Sequence, residues 1–241
     1  MQPWFKDWFN SPYYHVLYRN RDESEAAKFI DNLTQHLSLA HEDEIWDLAC
    51  GKGRHAVYLN KKGFRVVGTD LSLNNISCAG DGIKDGLEFY VHDMRNPFRI
   101  NYFTYVLNLF TSIGYFEKDN DTVKVFKNVF QSLKPGGRFV IDFFNADSVL
   151  KKMMAVEEKT IEGITFKISK RTEDKKIIKR IDFSDKGKNY FFEEQVSLYN
   201  EADFENFGKK AGFKTETVFG DYNLNSFTKE DSERLIIIFK K

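Results

Sequence analysis

Asp47-Leu48-Ala49-Cys50-Gly51-Lys52-Gly53-Arg54-His55, followed by Val66-Val67-Gly68-Thr69-Asp70, is the stretch that decides the fold. It reads as a buried strand, a glycine loop, a helix and a second strand ending in a carboxylate. Gly51 and Gly53 let the backbone turn sharply and let a ligand approach it. The alternation continues outward. Strands are expected at 44–48, 65–69, 87–92, 102–109 and 138–144, and helices at 23–37, 54–62, 73–79 and 121–133. Ala26, Phe29, Ile30 and Leu33 give the first helix one apolar face; Val125, Phe126, Val129, Phe130 and Leu133 do the same for the last. Gly63 and the Lys134-Pro135-Gly136-Gly137 run read as stops. Strands alternating with helices imply βαβ units and a mostly parallel sheet.

The pattern changes after Asp147. Residues 160–170, 175–183 and 190–198 read as strands joined by Glu173-Asp174 and Asp185-Lys186-Gly187-Lys188, an antiparallel insert. Residues 201–211 return to helix, Gly212 stops it, and 215–219 and 234–239 are closing strands. Residues 1–20 carry Trp4, Phe5, Trp8, Phe9, Tyr13, Tyr14 and Tyr18 with no clean period, as expected of a partly helical arm packed on the body. The expectation is therefore one domain over 1–241, with an N-terminal arm at about 1–22 and a β lid insert at about 155–199.

Composition narrows the function. Thirty-six basic residues balance thirty-six acidic ones in 241, so no global field recruits nucleic acid or an anionic membrane. Two cysteines, Cys50 and Cys78, are too few for a disulfide framework, and a reducing cytoplasm is expected. The N-terminus reads without a signal peptide, and no apolar run is long enough to span a bilayer. The 24 phenylalanines are mostly core, with some expected to wall an apolar pocket. Neither the cysteines nor the five histidines show metal-ligand spacing, so no metal is expected.

The acids identify the ligand chemistry. Asp47, just before the glycine loop, suits a cofactor carrying an ammonium and a sulfonium and would repel a pyrophosphate. Gly51-x-Gly53-x-x-Ala56 nevertheless satisfies a dinucleotide fingerprint, with Asp70 at about the ~20-residue distance expected for a ribose acid, so NAD binding stays open as an alternative. Against it stand Asp47, where dinucleotide folds keep an apolar residue, and the Lys-Pro-Gly-Gly-Arg run before the fifth strand. Asp70 either accepts from ribose hydroxyls or caps the following helix. Asp93 either accepts from an adenine amino group or is a turn aspartate. Met94 and Leu71 would wall the adenine.

The order Asp-x-Ala-Cys-Gly-x-Gly-Arg-His, Gly-Thr-Asp-Leu-Ser, His-Asp-Met-Arg, Asn-Leu-Phe-Thr-Ser-Ile-Gly-Tyr-Phe and Leu-Lys-Pro-Gly-Gly-Arg resembles the class I S-adenosylmethionine (SAM)-dependent methyltransferases. The nearest resemblance is to the small-molecule branch containing the glycine N-methyltransferase-like enzymes. It runs from about Glu23 to Phe144 and resumes from Glu201 to Phe239. The resemblance implies a Rossmann-like α/β fold, a seven-stranded sheet of order 3-2-1-4-5-7-6 with strand 7 antiparallel. It implies SAM as cofactor, S-adenosylhomocysteine (SAH) as product and a small-molecule acceptor. It assigns the methionine end to Asp47, Ala49, Gly51 and Gly53, the ribose to Asp70, and the adenine to Leu71, Asp93 and Met94. Phe110 would flank the reacting methyl, and Tyr14 and Arg19 of the arm would lie over the methionine carboxylate. Two departures stand out: Ala49 replaces the usual first glycine, and strand 4 lacks its usual opening acid.

Methyl transfer needs alignment and exclusion of water. A base helps when the acceptor is a hydroxyl or a protonated amine, and Tyr115 and His15 are the candidates. Tyr190, Phe191, Phe192 and Tyr199 read either as acceptor-pocket walls or as the lid's apolar underside, and the basic stretch 167–188 as a solvated hairpin face or an attractor of acidic substrate. A nucleic-acid methyltransferase would want an Asn/Asp-Pro-Pro-aromatic motif or a Pro-Cys, absent here. A non-catalytic SAM-binding protein and an NAD-dependent oxidoreductase remain the competing classes.

Overall fold

The computed structural model describes residues 8–18, 23–80 and 84–241. Its elements in chain order are α1 (Pro12–Leu17), α2 (Glu23–Leu37), β1 (Glu44–Leu48), α3 (Arg54–Lys61), β2 (Arg65–Asp70), α4 (Leu73–Gly80), β3 (Leu87–Val91), β4 (Phe103–Asn108), a 3₁₀ turn (Ser112–Tyr115), α5 (Asp119–Ser132), β5 (Leu133–Phe144), α6 (Ala146–Lys152), β6 (Val156–Ile161), β7 (Ile164–Glu173), β8 (Lys176–Asp185), β9 (Lys188–Ser197), α7 (Glu201–Ala211), β10 (Lys214–Phe219) and β11 (Arg234–Lys240).

Seven strands form one sheet in the order β10-β11-β5-β4-β1-β2-β3. Strands β1 to β5 run parallel, with Ile45 opposite both Val66 and Tyr105, and β11 lies antiparallel to β5 and β10. This is the expected 3-2-1-4-5-7-6 topology, with β10 and β11 as strands 6 and 7. The order reverses between β1 and β4, which opens a crevice at their carboxyl ends.

Successive strand residues point to opposite faces, and β11 shows how the two cores divide. Leu235, Ile237 and Phe239 pack with Val125, Phe126 and Val129 of α5 and with Phe204 and Phe207 of α7. Ile236 and Ile238 pack with Phe29 and Leu33 of α2 and with Ala56 and Leu59 of α3. Asn200 caps α7 through a reciprocal bond pair with Asp203, and Gly212 ends it at φ 103°.

The insert forms a separate antiparallel sheet, β6-β7-β8-β9. It has four strands where the sequence reading expects three, because Glu162 and Gly163, both at positive φ, turn the chain inside the stretch read as a single strand. The Lys134-Pro135-Gly136-Gly137 run follows the end of α5 at Ser132, as expected, but β5 opens earlier than the sequence reading has it, at Leu133, with its pairing to β4 shifting register between Leu133 and Arg138. Trp8 and Leu17 of the arm cover Phe166, Ile168, Ile181 and Phe183 of the insert. Trp8 Nε1 donates to Glu194 at 2.6 Å and the Tyr13 hydroxyl to Asp185 at 2.8 Å. Arm and insert thus share one small core.

Candidate functional site

Three residues in the left-handed region build the loop after β1: Ala49 (φ 64°), Gly51 (φ 57°) and Gly53 (φ 78°). The Cys50 amide donates to Thr69 of β2 at 2.9 Å and the Gly53 amide to Cys50 at 3.0 Å, which folds the chain back into α3. Ala49 is an L-residue doing work usually left to glycine, at a steric cost.

Two carboxylates already occupy this loop's amides. Asp47 is 2% exposed and accepts from the Ala56 amide of α3 at 3.1 Å. Burial, reinforced by Asp70, pushes its carboxyl up to about 7. Asp70 accepts from the amides of Gly51 (3.0 Å) and Ser72 (2.8 Å) and from the Asn75 side chain (3.2 Å); burial raises its pKa against these bonds. Ser72, not Asp70, receives the Asn75 amide and caps α4, so the helix-cap alternative for Asp70 gives way to an Asx turn that leaves the carboxylate at the crevice.

A cavity of about 1010 Å³ opens over this loop, matching the upper range of small-molecule sites. Tyr14, His15, Asp47, Ala49, Gly51, Asp70, Phe110 and Tyr115 all line it. An adjoining pocket of about 100 Å³ is lined by Leu71, Asp93 and Met94 and shares Ala49, Asp70 and Tyr115 with the larger one. Asp93 also makes a turn, accepting the Arg95 amide at 2.9 Å, and pairs with the Arg95 guanidinium at 2.6 Å. Desolvation raises its carboxyl, but the Arg95 bonds outweigh it and hold the pKa below its ordinary value.

One expected site residue falls elsewhere. Gly53 lines neither pocket; a side chain there would lie 2.6 Å from Phe89, so glycine is required for packing of the loop against β3. Arg19 lies outside the described residues. Of the four candidate acceptor-pocket aromatics, Tyr190 and Phe192 pack in the arm–insert core, Phe191 is 64% exposed, and Tyr199 is buried in the main core. The underside reading holds for the first pair.

Phe9 was not anticipated. It joins the expected Tyr14 and Tyr115 into a continuous aromatic wall, with centroids 4.9 Å apart for Phe9–Tyr14 and 5.3 Å for Phe9–Tyr115. Opposite them, the Phe110 ring stacks on His55 at 5.1 Å, whose pKa burial, with Arg54, drives down to about 3. His15 is lowered too, by burial and then by Lys52. Burial, then Asp47 and Asp70, push the Cys50 thiol up, which removes it as a nucleophile. Among the described residues, no three His, Cys, Asp or Glu side chains are placed to hold a metal, and no helix is long and apolar enough to cross a membrane.

The donor set fits SAM rather than a dinucleotide. A pyrophosphate is favoured by free amides and positive charge around a helix start, and here the Gly51 amide of the loop and the Ala56 amide of the first turn donate to the carboxylates of Asp70 and Asp47. A cationic ligand end meets complementary charge in the same place.

Residues 46–141 match the family model for a methyltransferase domain. A putative methyltransferase of Bacillus subtilis, YqeM, is 36% identical over 108 residues, 44% of each chain, so the match spans less than half the length of this relative. A SAM-dependent methyltransferase from Clostridium acetobutylicum superposes with a TM-score of 0.79 at 22% identity, covering 95% of both chains. SAM-bound CalS10, an amino pentose methyltransferase from Micromonospora echinaspora, superposes with a TM-score of 0.70 at 18% identity, covering 95% of this chain and 97% of that one. These likenesses show that the chain has the fold of class I SAM-dependent methyltransferases, and the stretch that matches the methyltransferase-domain model is the half of the sheet carrying the glycine loop.

Proposed function

We propose that this chain is a SAM-dependent methyltransferase that moves a methyl group to a small-molecule acceptor by direct displacement. The observation that carries the reading is the crevice at the β1/β4 reversal, where the Gly51 and Ala56 amides are held by the carboxylates of Asp70 and Asp47. SAM, when bound, supplies a methyl already activated by its sulfonium. In this reading Asp47, Ala49 and Gly51 hold its methionine end, with Tyr14 of the arm above them. Asp70 holds the ribose, and Leu71, Asp93 and Met94 hold the adenine.

The chain's remaining contribution is enclosure and proton management. Phe9, Tyr14, Phe110 and Tyr115 wall the larger cavity and present aromatic faces that favour a cationic or amine-bearing partner. His15 lines the same cavity with its pKa lowered, so it is neutral near pH 7 and able to accept a proton from an acceptor amine or hydroxyl; Tyr115 is the alternative. The arm and the insert close one side as a unit, a lid in the functional sense. The balanced charge favours small molecules over nucleic acid, and the unpaired Cys50 and Cys78 favour a cytoplasmic setting.

The test is incubation with methyl-labelled SAM and a panel of small amines, amino sugars and hydroxy compounds, with tRNA and DNA alongside. Label in a small molecule is the expected outcome. Label in nucleic acid alone would reassign the substrate class. SAM binding with no transfer to any member would point to a non-catalytic SAM-binding protein.

A further inference from the structure

The turn after β4 is built from residues unsuited to it. Phe110 (φ 58°) and Thr111 (φ 68°) are consecutive, both left-handed and neither is glycine. Such a conformation persists only where its surroundings over-determine it. This turn also carries the cavity-lining Phe110, Ser112 and Tyr115.

One carboxylate supplies most of the restraint. Asp142 of β5 is completely buried. Its Oδ2 accepts the Phe110 amide at 3.0 Å and the Tyr222 hydroxyl at 3.2 Å, and its backbone carbonyl accepts the Thr111 amide at 3.0 Å. Arg234 of β11 closes on Oδ1 through Nε at 2.8 Å and Nη2 at 2.7 Å, and reaches the Thr111 hydroxyl at 3.5 Å. The register allows this. Arg234 faces Phe144 and Asp142 faces Ile236 across antiparallel strands, so the two side chains are diagonal neighbours on one face. Tyr222, stacked on Phe29 at 4.5 Å, ties the same carboxylate to α2.

We infer that the Asp142–Arg234 pair, with Tyr222, is a positioning device that locks the Phe110–Thr111 turn in the shape that walls the cavity. A buried carboxylate paired with a partly buried guanidinium is weak evidence of net stabilisation, but a two-nitrogen grip on a carboxylate fixes direction well. The carboxylate aimed by Arg234 in turn fixes the Phe110 amide. The inference rests on the proposed function only in using SAH as the ligand probe.

The experiment measures hydrogen–deuterium exchange across residues 109–116, SAH affinity by calorimetry and Tm. It compares the native chain with Asp142→Asn, Arg234→Lys and a core control on the opposite face of the sheet, Phe204→Leu. Asp142→Asn is expected to speed exchange in the turn about tenfold and weaken SAH about tenfold, the scale of one charge-assisted hydrogen bond. Arg234→Lys keeps the charge but loses the planar grip, and falls between native and Asp142→Asn. Phe204→Leu lowers Tm while leaving turn exchange and SAH affinity within about twofold of native. If Asp142→Asn does not fold, Arg234→Lys carries both readouts. Native-like turn exchange in the pair variants, faster exchange with unchanged SAH affinity, or an equal response from Phe204→Leu would each overturn the inference. If the native chain binds no SAH, the functional reading fails, and the exchange data alone decide whether the pair positions the turn.

Discussion

Asp47→Asn should make this protein more stable and a poorer binder, with a pH dependence that identifies the cause. Burial raises the Asp47 carboxyl to about 7 from an ordinary 3.8. Below 3.8 the group is neutral folded and unfolded and costs nothing. Between 3.8 and 7 the unfolded chain releases the proton while the folded chain keeps it, so stability falls as pH rises and levels off above 7. At about 1.4 kcal/mol per pH unit the whole window amounts to about 4 kcal/mol, and relaxation around a buried charge brings a realistic figure nearer 2 kcal/mol. Asparagine keeps an acceptor for the Ala56 amide, now at 3.1 Å from the carboxylate, and never ionises. About two of the three units of that window lie between pH 5 and pH 7.5, so the Tm advantage of Asp47→Asn should grow by roughly 2–5 °C over that range for a chain of this size. SAH affinity should rise with pH through about 7 in the native protein, because the ligand's ammonium favours ionised Asp47, and stay flat and weaker in the variant. Thermal melts and calorimetry across that range decide it. A Tm difference that is negative, or that does not change with pH, would refute the reasoning.

Three further outcomes are expected. Gly53→Ala puts a side chain into φ 78° and within 2.6 Å of Phe89, costing about 2–4 kcal/mol; denaturant unfolding should show the loss, and Phe89→Leu in the same chain should recover part of it. Ala49→Gly relieves a left-handed alanine at φ 64° but adds unfolded-state entropy, for a net gain of up to about 1 kcal/mol; a loss of stability would mean the methyl packs usefully. Iodoacetamide should label exposed Cys78 and spare Cys50, which is buried with its thiol pushed up by burial and two carboxylates; peptide mass spectrometry with equal labelling would show that the glycine loop opens.

The half of the sheet that carries the candidate site was legible because its strands are short apolar runs punctuated by glycine, and because the acids at their carboxyl ends stand on the crevice side of an open sheet. Asp47, Ala49, Gly51, Asp70, Leu71, Asp93 and Met94 all reach the two adjoining pockets. Gly53 was misread because a glycine needed for packing against Phe89 looks the same in sequence as one needed beside a ligand. The β6–β7 turn was missed because Glu162-Gly163 interrupts a polar, half-exposed stretch with little periodicity. Asp142 and Arg234 are 92 residues apart, and only the antiparallel closing strand brings them together, so nothing local in the sequence announces the pair. The described part of the arm, residues 8–18, shows no single apolar face because Trp8, Tyr13 and Leu17 meet the insert while Phe9 and His15 line the cavity.

The most direct measurement is calorimetric titration of the native chain and of Asp70→Ala and Asp70→Asn with SAM, SAH and NAD. Asp70→Asn keeps acceptors for the Gly51 and Ser72 amides and guards against simple collapse of the loop. Micromolar binding of SAM and SAH, at least tenfold weaker in both variants, with no response to NAD, is the expected result. Binding of NAD with no response to SAM or SAH would contradict the methyltransferase reading.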